Sequence, residues 1–449
     1  MPDTHRIETG PFPGRNRILE GAAVAVVFTI NVFLWATFRP ALMSPDSLTQ
    51  YEEAATLVFS DWHPPLPSIM LSAVMHVGGD IDTLMFLQCM AFGFGLYLLL
   101  REITGHPVPA LVSHLLLVAL PPLGFYMMTF WKDSWIAVAF LWGGILGLRA
   151  GGAPKLAAGI GALASILACF VRDNAAMLLP WSGFLLWKCF GLRARHALVM
   201  LIPILLYLPA RAGIYSAFHI QPLNKITTLQ VYDLAAVCHM RPDVADLIPY
   251  SRDVVAPIFA GPGDFFERIF FYGFSFPCDQ EKVNRDYRTL IMHAPMAFLG
   301  VKLASFSNVL SWEKTTLWHL EGLGNNRLGL EMNGSMEPVR NLIIEYSHVL
   351  SQYRWIRILL ATHRPWFCLN AGWVLCALIL YRKTGKPEYG RQAALLTFPL
   401  LYYFSYLATS PAPDFRYMYP STLALQAVTV AALARLASRR ATMRIVSNS

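Results

Sequence analysis

The chain has 449 residues, of which 55% are hydrophobic and only 14% charged, far more apolar sequence than a soluble fold can bury. Apolar runs recur from residue 18 to residue 436, which excludes a water-soluble globular protein and marks a polytopic membrane protein. The formal charge of +8 does not indicate nucleic acid, because the basic residues gather at the ends of apolar runs and form no basic stripe.

The first run, residues 18–38, is long enough to span, contains Glu20 and lacks a small-residue cleavage site, so it reads as a retained helix and not a removable signal. Further spans are expected at 82–100, 107–123, 133–150, 156–172, 174–190, 196–217, 365–382, 391–409 and 416–436. Ten crossings put both termini on one side. Arg15 and Arg17, Arg101, Arg149 and Lys155, Lys188, Arg193 and Arg195, the Arg382, Lys383, Lys386 and Arg391 group, and Arg435, Arg439 and Arg440 then fall in short loops on that side. By the positive-inside rule that side is the cytoplasm, so the expected location is the bacterial inner membrane with both termini cytoplasmic.

Two apolar stretches need a decision. Residues 66–77 are too short to cross and are placed at the outer face. Residues 295–311, which hold Lys302, read together with Tyr287, Leu290, Ile291 and Phe298 as an amphipathic helix lying on the outer surface. The expected fold is therefore an all-α bundle of ten to twelve transmembrane helices, the upper number counting these two stretches. It divides into a transmembrane module over 1–217 with a first outer loop at 39–81, a large outer loop over 218–364, and C-terminal helices and a tail over 365–449. Cys238 and Cys278 share the large outer loop, either as a disulfide in an oxidising periplasm or as two unpaired thiols.

This threading brings polar residues from distant segments to one outer membrane surface. In the first loop, Ser44-Pro45-Asp46-Ser47 has a capping serine and a proline suited to the first helical position, followed by Leu48, Tyr51, Ala55 and Val58 at helical spacing. A short interfacial helix starts there. Glu52 and Glu53 are expected on its wet face. Asp61 fixes the next turn, and two prolines after His63 present that histidine stiffly. Lys132 and Asp133 open a later span, Arg172 and Asp173 lie in a tight turn, and Asp414 and Arg416 flank the start of the last span. Each has a plainer role: a helix-dipole acid for Asp46, a snorkelling lysine and a cap for Lys132 and Asp133, and interfacial anchors for His63, Arg172, Asp173, Asp414 and Arg416. Together they suit chemistry on a lipid phosphate, with basic groups holding the phosphate while a carboxylate takes a proton from an incoming hydroxyl. No phosphate-binding glycine loop, dinucleotide fingerprint or His-Glu-x-x-His zinc pattern competes with that reading.

The order of these motifs resembles the GT-C superfamily of polytopic glycosyltransferases, especially bacterial relatives of protein O-mannosyltransferases and of the lipid A aminoarabinose transferase. The resemblance rests on Pro45-Asp46-Ser47 just after the first span, His63-Pro64-Pro65-Leu66 at the end of the first loop, Lys132-Asp133 opening a later span, and a large outer loop after the seventh span. It implies transfer of a sugar from a polyprenyl-phosphate donor, with Asp46 as candidate base and Asp133 as a second acid. The donor phosphate falls to His63, Lys132, Arg172 and Arg416, and His63 stands where some relatives have a phosphate-binding lysine. Acceptor recognition is expected in the large loop, at Trp312, Glu313 and His319. Phosphate is a good leaving group, so no metal or other cofactor is obligatory, and a divalent ion remains compatible with the step. The acceptor is a glycan, lipid or protein of the cell envelope.

Two other classes fit a polytopic chain. A lipid or small-molecule transporter is expected to show internal repeats and midplane polar groups, whereas this chain has no evident repeat and gathers its polar residues at one face. An envelope glycan polymerase or ligase differs in its donor, an oligosaccharide on a diphosphate instead of a monosaccharide on a single phosphate.

Overall fold

The computed structural model describes residues 13–149, 153–191, 193–223, 225–261, 265, 278–311, 322–324, 326–409 and 414–448. Among them the chain is helical, and its extended contacts are two isolated backbone bridges. The first part contains α1 (Pro13–Phe38), α2 (Pro45–Thr56), α3 (Leu66–His76), α4 (Ile81–Thr104), α5 (Pro107–Val118), α6 (Pro121–Met128), α7 (Lys132–Arg149), α8 (Pro154–Val171), α9 (Leu178–Cys189) and α10 (Ile202–Ala217). The middle segment, residues 218–364, contains α11 (Lys225–Met240), α12 (Gln280–His293), α13 (Pro295–Val309), α14 (Glu337–Gln352) and α15 (Arg354–Ala361). The last three are α16 (Arg364–Thr384), α17 (Pro387–Thr409) and α18 (Phe415–Asn448).

Six helices are long and apolar enough to cross a bilayer, over Arg17–Phe38, Ile81–Thr104, Pro154–Val171, His196–Ala217, Arg364–Thr384 and Phe415–Ser438. The number reaches eight if each of two bent helix pairs is one span. The chain is a multi-pass helical membrane protein.

Four of the ten expected crossings take other forms. The 107–123 run breaks into α5 and α6, bent by 83° where Pro121 and Pro122 interrupt the backbone ladder. In α7, Lys132, Asp133 and Arg149 crowd three charges into 18 residues. The 174–190 run becomes a 3₁₀ turn over Asp173–Met177 and the 12-residue α9. Finally, α17 is long but carries Glu388, Arg391 and the buried Tyr402, Tyr403 and Tyr406. Residues 66–76 form the 11-residue α3, short as expected. The single amphipathic helix expected across Tyr287 to Phe298 is corrected. Pro295 breaks it, and α12 and α13 meet at 105°.

Three apolar clusters hold these elements together. One joins α1, α4, α5, α6, α7 and α18, a second joins α7, α8, α10, α13, α17 and α18, and a third belongs to α11, α12 and α13. The third holds a buried ion pair whose lysine also ties it to the bundle. Lys302 Nζ lies 2.6 Å from Asp233 Oδ2 and donates to the Ala408 carbonyl of α17 at 2.8 Å, while Tyr287 donates to the same aspartate at 3.0 Å. Cys238 and Cys278 are both free thiols.

Backbone contacts seat the first loop. Leu42 pairs with the segment before α7, its N–H donating to Met128 O at 2.9 Å and its carbonyl accepting from Phe130 N at 3.0 Å. At the other end of the loop, Gln221 N donates to Phe59 O and Asp61 N to Gln221 O, both at 2.9 Å. The Asp61 carboxylate also accepts from Leu223 N at 2.6 Å, so it fixes a contact between loops as well as a turn. Glu53 corrects the expectation of a wet face. It is 6% exposed, and its carboxylate accepts from the Ser60 amide at 3.1 Å and the Ser68 hydroxyl at 2.8 Å. Glu52 does face solvent, paired with Arg327.

Candidate active site

The start of α2 is built by its own sequence. Ser44 is extended, Pro45 begins the helix, and the Ser47 hydroxyl accepts from the Ser44 amide at 3.2 Å. Ser47 also donates to the Phe130 carbonyl at 2.6 Å, and the Trp131 indole donates to the Ser44 hydroxyl at 3.0 Å. Together with the Leu42 bridge, these bonds hold Asp46 against the start of α7.

Six residues singled out in the sequence converge at that point. Arg416 Nη1 lies 2.8 Å from Asp46 Oδ2, and its Nε lies 2.6 Å from Asp414 Oδ2. Arg172 caps the end of α8, and its Nη1 lies 2.6 Å from Asp133 Oδ2. Lys132 Nζ lies 2.8 Å from His63 Nδ1, and His63 Nε2 lies 3.9 Å from Asp46 Oδ1. An ammonium can only donate, so Nδ1 is the bare nitrogen and the N–H at Nε2 faces Asp46. Aromatic rings fill the gaps between the cations. The Arg172 guanidinium stands 4.8 Å from the Tyr417 ring and 5.7 Å from Tyr406, and that of Arg416 stands 5.6 Å from Trp131.

Access is uneven. Asp133 is fully buried and Arg172 nearly so, whereas the Asp46 side chain keeps 21% of its surface and that of Arg416 13%. The cluster opens on Asp46. Three carboxylates, Asp46, Asp133 and Asp414, face three cations, Lys132, Arg172 and Arg416. Among the described residues Lys132 has no carboxylate within ion-pairing distance, and its hydrogen-bond partner is His63.

The titration of the loop groups follows from this packing. Burial opposes the charge on Asp46, but the positive charges of Arg416 and Lys132 outweigh it and hold the carboxyl well below the usual carboxylate range. Burial, reinforced by Lys132, pushes His63 down to about 3, so its imidazole is neutral. Burial lifts Asp414 to about 6, against the pull of Arg416.

Asp414, expected as an interfacial anchor, is fully buried and holds the inner edge of Arg416, with Oδ1 also accepting from the Arg416 amide at 3.0 Å. Its position two residues before Arg416 was the available signal. Tyr406, Tyr417 and Trp131 gave none beyond their aromatic character. Asp173 is half-buried at the start of the 3₁₀ turn. Trp312, Glu313 and His319 lie outside the described residues. Among those described, no group of three or more His, Cys, Asp or Glu is placed to hold a metal ion. No protein family, curated protein or solved structure matches the chain, and the reading of the cluster rests on its geometry.

Proposed function

We propose that the protein is a glycosyltransferase of GT-C-like architecture, moving a sugar from a polyprenyl-phosphate donor to a cell-envelope acceptor at the periplasmic face of the bacterial inner membrane, with inversion at the anomeric carbon. The supporting observation is the convergence of Asp46, His63, Lys132, Asp133, Arg172 and Arg416 from four separate segments into one cluster that opens on Asp46. The basic loops support a cytoplasmic location for both termini, and with it a position for the cluster among the outer headgroups.

In this reading the donor phosphate goes first to Lys132, the cation whose partner is a neutral imidazole. Arg416 divides its guanidinium between Asp46 and Asp414 and is partly accessible, so a phosphate beside Lys132 draws its outer edge off Asp46 while Asp414 retains the Nε edge. Asp46 paired with Arg416 is a weak base. Released from it, the carboxylate regains basicity, orients the acceptor hydroxyl and takes its proton late in the step. The hydroxyl oxygen bonds to the anomeric carbon, the bond from that carbon to the phosphate oxygen breaks, and the departing charge rests on Lys132 and Arg416. Asp133 and Arg172, buried against each other, act as positioning residues. Residues 312 to 321 supply acceptor contacts through Trp312, Glu313 and His319.

The test is the lipid extract of cells that lack the protein. One polyprenyl-monophosphate sugar should accumulate several-fold over the parent strain. An unchanged set of such lipids, or accumulation of a diphosphate-linked oligosaccharide, overturns the proposal, the second outcome in favour of a polymerase or ligase.

A further inference from the structure

Asp46 and Glu53 share one face of α2. They are seven residues apart, about two turns at 100° per residue, and the buried residues Ser47, Gln50, Glu53 and Ala54 lie on that side. Asp46 ends on the Arg416 guanidinium. Glu53 has neutral partners instead. Its Oε1 accepts from the Ser60 amide at 3.1 Å and the Ser60 hydroxyl at 2.5 Å, and its Oε2 accepts from the Ser68 hydroxyl at 2.8 Å.

These three donors bracket His63, which follows Ser60 by three residues and precedes Ser68 by five. A carboxylate is an acceptor only, so it can gather all three at one point. Glu53 is 6% exposed and Ser68 fully buried, which leaves the donors little water to turn to and makes loss of the carboxylate costly for them. Pro64 and Pro65 stiffen the stretch between, so a clasp at its two ends fixes the direction of the imidazole.

The contacts of His63 depend on that direction. Its Nε2 stands 3.9 Å from Asp46, on the helix that carries Glu53, and its Nδ1 accepts from Lys132 at 2.8 Å. Both contacts join side chains of separate segments. The amide and carboxylate of Asp61 fasten the same stretch to Gln221 and Leu223, beyond α10. The bonds of Glu53 fasten it to α2.

We propose that Glu53 is a positioning residue of the cluster, which clasps the Ser60–Ser68 stretch to α2 and so sets His63, with the Lys132 ammonium it accepts from, beside Asp46. Its bearing on sugar transfer rests on the reading given above, whereas the placement of His63 does not. The test treats the full chain in nanodiscs with diethyl pyrocarbonate, which modifies the neutral imidazoles that it can reach, and maps the modified histidines by mass spectrometry. His63, 4% exposed, should react slowly in the parent and several-fold faster in Glu53→Leu, while the buried His363 keeps its parent rate. Glu53→Gln should restore the slow rate, because its amide oxygen accepts from Ser60 and its amide nitrogen donates to the Ser68 hydroxyl. Cells carrying only Glu53→Leu should accumulate the polyprenyl-monophosphate sugar several-fold, and cells carrying only Glu53→Gln should not. A parent rate at His63 in Glu53→Leu, or an equal rise at His363, overturns the proposal. So does a parent-like lipid profile from Glu53→Leu when Asp46→Asn accumulates the sugar. If neither variant accumulates it, the sugar-transfer reading fails and the His63 rates alone decide on Glu53. Where Glu53→Leu does not fold, Ser68→Ala opens one end of the clasp and should raise the His63 rate, and a parent rate there overturns the proposal.

Discussion

Arg416, in the first turn of α18, reaches Asp46, in the first turn of α2, with 2.8 Å between Nη1 and the carboxylate Oδ2. The pair is asymmetric, because Arg416 has a second carboxylate, Asp414, whereas Asp46 faces only the neutral His63 besides Arg416. Removing the Asp46 charge leaves Arg416 paired. Removing Arg416 strands Asp414, which is fully buried. Asp46→Asn should therefore cost about 1 kcal/mol or less, and Arg416→Met about 3–5 kcal/mol. Thermal unfolding in nanodiscs orders the two variants, and equal losses would show that Asp414 does not hold Arg416.

The Asp133 and Arg172 pair is more deeply enclosed, and the guanidinium is flanked by the rings of Tyr417 and Tyr406. Asp133→Leu or Arg172→Met alone leaves a buried charge without its partner, at about 3–5 kcal/mol each. The double variant removes both charges and keeps an apolar chain against the rings. It should unfold at a higher temperature than either single variant, and a loss equal to the sum of the two would contradict the pairing.

His63 and Asp414 titrate in opposite senses. With its folded pKa depressed to about 3, His63 stays neutral as the unfolded chain gains a proton below its ordinary 6.5, so its contribution to stability is complete above that pH and falls as pH drops. With its folded pKa raised to about 6, Asp414 takes its proton first in the folded state, so its contribution is complete below 3.8 and is lost as pH rises through 6. Relative to the parent, His63→Gln should gain in melting temperature as pH is lowered from 6.5 to 4, and Asp414→Asn should lose over the lower part of that range. Parallel melting curves for parent and His63→Gln would show that the imidazole is already charged.

Much of this cluster is legible in the sequence, because run lengths and basic residues group the ends of the apolar runs into two layers. Asp46, His63, Lys132, Asp133, Arg172 and Arg416 could be assigned to one layer without knowing how the helices pack. Who pairs with whom could not be read, since the contact between Arg172 and Asp133 depends on how closely α7 and α8 approach. Glu53 illustrates the same limit. An acid two residues from the apolar Tyr51 looks solvent-facing on helical spacing alone, and only the return of the loop through Ser60 and Ser68 encloses it. The break between α5 and α6 carried a signal in Pro121 and Pro122, but apolar content outweighed it in the reading of that run.

Whether Asp46 serves chemistry and not merely the fold is decided by the lipid extract of cells carrying only Asp46→Asn. The variant should be present at the parent level, with nearly the parent melting temperature, and should accumulate the same polyprenyl-monophosphate sugar as cells that lack the protein. A parent-like lipid profile from a well-folded Asp46→Asn protein would contradict a chemical role for Asp46.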